Sequence, residues 1–227
     1  MKRVLILIDY SSEFSRRLLR GLIQYAHEHG PWLFYRLPTY YKTMYGKEGI
    51  IEWAKSWKAD AILARWDHEG TNLLATLNIP IVLQNYKSRS PYFSNLTGDY
   101  VGTGMMAANF FIKRRFRNFA FYGNKGVIWS QERAEGFKKE VEKAEGNFFC
   151  FESEDLGGKE WSSSYAELDE WLLSLPKPVG LFACDDDFAL RISQICKINN
   201  IKIPEEISLL GVDNDELICH LSDPPLS

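Results

Sequence analysis

No stretch of this sequence stays apolar for the roughly twenty residues that a membrane span needs. The first apolar run, Val4 to Ile8, is ended by Asp9, which also makes it too short for a signal-peptide core. A net charge of −3 supplies no basic face, so these residues carry no electrostatic footprint for nucleic acid. Cysteine is scarce: Cys150, Cys184, Cys196 and Cys219 fall at irregular spacing and make no CxxC pair. In a chain long enough to bury a core of its own, that pattern argues for reduced thiols rather than a disulfide framework. These absences together predict a cytoplasmic protein with no membrane partner. Catalytic templates are missing as well: there is no GxSxG, GxxxxGK[ST] or HExxH, and no GxGxxG follows the first strand. His27, His29, His68 and His220 make no ligand spacing. No metal and no cofactor is expected.

What is present reads as a soluble globular chain, 45% hydrophobic and 25% charged. VLILID at the start predicts a buried strand, since continuous apolar runs suit a parallel sheet covered on both faces. Ser11 or Ser12 can cap a helix that runs to about His29 and stops at Gly30-Pro31. A strand at WLFYRL, a helix from about Lys47 to Lys58, AILA at 61–64, a helix 71–77 and PIVLQ at 80–84 follow. The pattern pauses in a polar stretch, Ser88 to Gly98, and resumes with a helix from about Asp99 to Lys113 and a strand at 118–123. Helix 131–144, strand 148–152, helix 165–174, strand 179–183, helix 186–199 and strand 208–212 complete it. Alternation with short joints is the signature of parallel βαβ winding, and two such runs in succession predict two similar lobes.

In such folds ligands sit beyond the C-terminal ends of the strands. That rule selects Asp9-Tyr10, Arg65-Trp66-Asp67, Gln84-Asn85, Asn124, Asp185 to Asp187 and Asp213 to Asp215. Any one of them can be an ordinary polar loop residue or a helix cap. Their recurrence after strand upon strand points to a binding site. The Asp67-His68-Glu69 trio fits a solvated loop better than a metal cluster. For Asp185-Asp186-Asp187, a Mg²⁺ site stands against one carboxylate facing the ligand while the next caps a helix; we favour the second. Arg133, expected in the first turn of its helix, offers a planar fork of donors suited to sugar hydroxyls or a carboxylate. It can equally be a surface arginine with a solvated head. Trp66 and Trp129 can cover the apolar face of a sugar, or serve as core or hinge residues.

From about Gly98 onward the residues resemble the LacI/GalR regulator family. GDYVGTGMMAANFFIKRRFRNFAFYG, SQERAEGF, LFACDDDFALR and IKIPEEISLLGVDND match that family's motifs in order and spacing over about half the chain. The wording of RNFAFYG, LPKPVGLFACDD and QICKINNIKIPEEISLLGVDNDEL is similar to the XylR-type regulators of xylose operons. The resemblance implies an α/β, type I periplasmic-binding-protein-like fold, with two Rossmann-like lobes around a ligand cleft. We expect the lobes at residues 1–114 and 115–227, with KRRFR at 113–117 in the joint between them. LacI-type repressors open on a helix-turn-helix, whereas this chain opens on a strand, and it stops where the family continues. The expectation is therefore a piece of a longer protein whose AraC-type DNA-binding region lies C-terminal to it.

Residue by residue, the resemblance places Arg133 on the family's effector-binding arginine and Asp213 on the aspartate that accepts ligand hydroxyls. Asp185 stands where the family often has asparagine. Gln84 stands where a ligand-contacting aspartate is common, which leaves its role open. Asp9, Tyr10 and Trp66 rest on strand-end placement alone. The implied function is a sensor that binds a small sugar such as xylose, performs no chemistry on it, and acts as a homodimer. Its rivals are a periplasmic sugar-binding protein of a transport system and a sugar isomerase or kinase.

Overall fold

The computed structural model describes residues 1–66, 68–84, 87–153 and 161–226. Two compact units divide the chain, Met1–Thr97 and Gly98–Ser227. In the first, strands β1 (Lys2–Leu7), β2 (Trp32–Arg36), β3 (Ala61–Ala64), β4 (Ile81–Gln84) and β5 (Ser94–Leu96) form one sheet in the order β2-β1-β3-β4-β5. Every pairing is parallel. Helices α1 (Glu13–His29), α2 (Thr39–Trp57) and α3 (His68–Ala75) make the crossovers. Ser12 caps α1 by accepting the Ser15 N–H at 3.3 Å, and Gly30 ends it at φ 131°.

The second unit carries α4 (Tyr100–Lys113), β6 (Asn118–Asn124), α5 (Ile128–Lys143), β7 (Asn147–Ser153) and α6 (Trp161–Ser174). Then come β8 (Val179–Ala183), α7 (Asp186–Ile198), β9 (Ile207–Leu210) and the short α8 (Glu216–Cys219). Its parallel sheet has the order β7-β6-β8-β9. β8 is buried at every position, as its unbroken apolar run requires of a central parallel strand. Phe111, Phe119, Phe121, Phe137 and Phe182 fill the core on one face of this sheet, gathered around the Phe137 ring in edge and tilted contacts.

The structure differs from the expected elements at several points that bear on the site. The polar stretch after β4 holds a strand, β5, which has no apolar run because it is a three-residue sheet edge. Helix α2 begins at Thr39 instead of near Lys47, with a break at Gly46 (φ 67°) between its halves. Helix α5 begins at Ile128, so Arg133 lies in its second turn rather than its first. Helix α4, expected in the first lobe, belongs to the second unit, where Gly104 and Gly136 bring its backbone against that of α5. KRRFR, beginning at Lys113, lies inside that unit too.

Candidate functional site

Strand register gathers the site residues of the second unit. Phe182 of β8 sits opposite Leu210 of β9, so Asp185 and Asp213, each three residues further on, leave neighbouring strands at the same level. Arg133 approaches from α5. It is 5% exposed, so it is a buried cation rather than a surface arginine with a solvated head. One guanidinium nitrogen donates to the Cys184 carbonyl, and the other lies 3.9 Å from Asp213 Oδ1. The guanidinium carbon stands 5.2 Å from the Trp129 ring centre and 5.4 Å from that of Tyr100, within cation–π range of both. Its Nε has no hydrogen-bond partner among the described residues, although it is fully shielded.

The three acidic residues after β8 divide their work. Asp185 caps α7, accepting the Phe188 N–H at 2.8 Å through Oδ1. Burial pushes its acid up to about 7, with Asp187 and Asp213 adding like charge and Arg133 opposing. Asp186 turns the other way and accepts the Asp215 N–H at 2.7 Å; burial pushes it up to about 6. Asp187 is exposed. The cap is thus the ligand candidate Asp185 itself, not the residue after it. Among the described residues no group of three or more His, Cys, Asp or Glu comes together as a metal ligand set. Asn124 uses Oδ1 on the Gly126 N–H at 2.8 Å, closing its own turn.

In the first unit β1 and β3 end level, Leu7 opposite Ala64, which carries Asp9 and Trp66 to the same sheet edge. Asp9, Arg65 and Trp66 line a cavity of about 130 Å³ with Leu37, Pro38 and Ile50. Asp9 is exposed and accepts the Ser11 N–H at 3.0 Å and the Ser11 hydroxyl at 2.8 Å. Tyr10 and Gln84 stand outside that cavity. The Tyr10 ring has the Arg36 guanidinium 4.7 Å from its centre, and burial pushes its hydroxyl up to about 12. Gln84 is buried and donates to Ser15 Oγ at 3.2 Å. Tyr10 Oη and Gln84 Oε1 are shielded with no hydrogen-bond partner among the described residues. Asp67 and Asn85, selected by the same strand-end rule, lie outside the described residues.

Three candidates, Tyr10, Gln84 and Arg133, therefore each hold a buried polar atom unsatisfied, which ordinary folding avoids because such a group costs about 1–3 kcal/mol. Hydroxyl groups, which both donate and accept, have the chemistry to satisfy atoms of this kind in either unit. Sequence reasoning missed the Cys184 carbonyl, a backbone group with no signal of its own, and the duty of Asp186. The acidic run drew attention to Asp186, but the Asp215 backbone partner is visible only in the fold.

A family model for a periplasmic binding protein-like domain matches residues 108–227. The xylose operon regulatory protein of Haemophilus influenzae is 32% identical over 176 residues, covering 74% of this chain and 46% of its own length. That of Escherichia coli strain K12 is 25% identical over 236 aligned positions, covering 99% of this chain and 58% of its own. This chain thus spans about half the length of the curated relatives it matches. The solved structure of a xylose-binding transcription activator, xylR, superposes with TM-score 0.74 at 22% identity, covering 94% of this chain and 55% of the other. At that identity the likeness concerns the fold.

Proposed function

This chain belongs to the periplasmic binding protein-like domain family, and we propose that it is the sugar-sensing part of a transcriptional regulator. The observation that carries the reading is the buried Arg133 with its unsatisfied Nε, set beside Asp213 and next to the Asp185 strand end. Carboxylates accept neutral hydroxyls, and a buried guanidinium donates to them in a fixed plane. A pentose offers both faces of that exchange. The kinship with xylose operon regulators favours D-xylose. Asp9, Tyr10, Trp66 and Gln84 take the same role in the first unit. The protein binds its sugar without turnover, works as a homodimer in the cytoplasm, and reads DNA through a part outside residues 1–227. Sugar switches it only by binding one conformation better than another.

Calorimetry tests the reading. One neutral sugar should bind in the micromolar to millimolar range, roughly −8 to −4 kcal/mol. Arg133→Ala should weaken it roughly tenfold to a hundredfold, the worth of a lost charge-assisted hydrogen bond, and Asp213→Asn by less. Because Arg133 is buried and bonded to the Cys184 carbonyl, its alanine variant should also melt earlier. Binding must therefore be measured on folded protein well below that transition. Parent-like affinity in both variants, or binding of a purine with no response to any sugar, overturns the assignment.

A further inference from the structure

We propose that Asp186 is the positioning residue of this site, a buried clamp that holds the 211–215 turn so that Asp213 keeps its place beside Arg133. The inference rests on the reading of Asp213 as a ligand acceptor. Asp186 is only 5% exposed. One oxygen is bonded to one end of the turn and the other lies against its opposite end. Oδ2 accepts the Asp215 N–H at 2.7 Å, while Oδ1 lies where a side chain on Gly211 would begin, 2.3 Å from an added Cβ. Between those ends the backbone adopts two consecutive left-handed conformations at residues with side chains, Asp213 (φ 95°) and Asn214 (φ 51°). Asp and Asn enter that region more readily than other side-chain-bearing residues, but two in succession make a turn whose shape depends on what fixes its ends. Gly211, the residue type without a Cβ, leaves free the space that this carboxylate oxygen occupies.

A first-turn carboxylate also favours its own helix through the dipole, and that bland role is the alternative to exclude. The test uses the whole chain, D-xylose by calorimetry, and hydrogen exchange of the Asp215 amide. Asp186→Ala should speed exchange of that amide and weaken xylose by at least about tenfold, whereas Asp186→Asn, which keeps an acceptor oxygen, should restore both. Combined with Asp213→Ala, Asp186→Ala should add nothing to the loss of affinity, because the two act through one group. Should Asp186→Ala not fold, Gly211→Ala displaces the same carboxylate and should give the same pair of changes. A helix-only role predicts a lower melting temperature with unchanged affinity and a still-protected Asp215 amide; that result, or additive losses in the double variant, overturns the clamp. If the parent protein ignores xylose altogether, the sugar reading fails, and the amide exchange still decides whether Asp186 holds the turn.

Discussion

Asp185 caps α7 with one oxygen and sits where burial favours the neutral acid, held at about 7 against the ordinary 3.8. Between those values the folded chain keeps a proton that the unfolded chain has released, so stability falls as pH rises. The contribution of Asp185 is complete below about 4 and is lost through about 7; Asp186, at about 6, acts in the same direction. Asparagine caps a helix as well as aspartate and never ionises. Asp185→Asn should therefore melt close to the parent at acid pH and above it in alkaline buffer. Scanning calorimetry in the two buffers checks this, and an equal gap between variant and parent in both would remove the burial argument. Sugar hydroxyls are accepted best by the carboxylate. Xylose affinity of the parent should accordingly rise with pH through about 7 and level off above it.

Two glycines set how closely α4 and α5 pack, and through α5 they set where Arg133 stands. A Cβ on Gly104 would fall 2.1 Å from the Arg133 carbonyl oxygen and 2.7 Å from the Phe137 nitrogen, both backbone atoms that cannot rotate away. Gly21, in mid-α1, has nothing within 4 Å of the same added atom. Alanine should therefore act with opposite sign at the two positions. Gly21→Ala should stabilise by about 1 kcal/mol through helix propensity. Gly104→Ala should cost about 1–3 kcal/mol in forced repacking and weaken sugar binding as α5 shifts. Thermal melts of both variants decide it, and a stabilised Gly104→Ala would mean that the helices can part freely. The same elements show what the sequence makes legible. AILA at 61–64 and VGLFA at 179–183 are strands at the expected residues, because a strand buried on both faces must be apolar throughout. The edge strand Ser94–Leu96 has no such obligation and leaves no pattern. Arg133, Asp185 and Asp213 stood out by residue type and motif, and the fold brings them together. The left-handed backbone at Asp213 and the Cys184 carbonyl had no sequence signal, since both are properties of the backbone after folding.

Over the whole chain, 27 basic residues stand against 30 acidic ones, and the densest basic run, KRRFR at 113–117, is engaged locally. Lys113 ends α4, where cations offset the helix dipole. Arg114 lies with its guanidinium 3.4 Å from the Phe110 ring centre and donates to the Phe110 carbonyl at 3.1 Å. Arg115 turns the chain at φ 65° toward β6. The run therefore meets the N-terminal end of β6, the opposite end of that strand from Asn124, and serves a helix stop. Affinity for DNA through phosphates alone needs several clustered cations and falls steeply with salt. A mobility-shift titration of residues 1–227 on a xylose operon promoter should give no sequence-specific complex at about 0.15 M salt, with or without D-xylose. Weak, salt-sensitive retardation common to all sequences would fit the same charge distribution. A complex that survives that salt and discriminates the promoter from scrambled DNA would show that these two units carry a groove-reading surface, and would move the output of the sensor into the sensing chain itself.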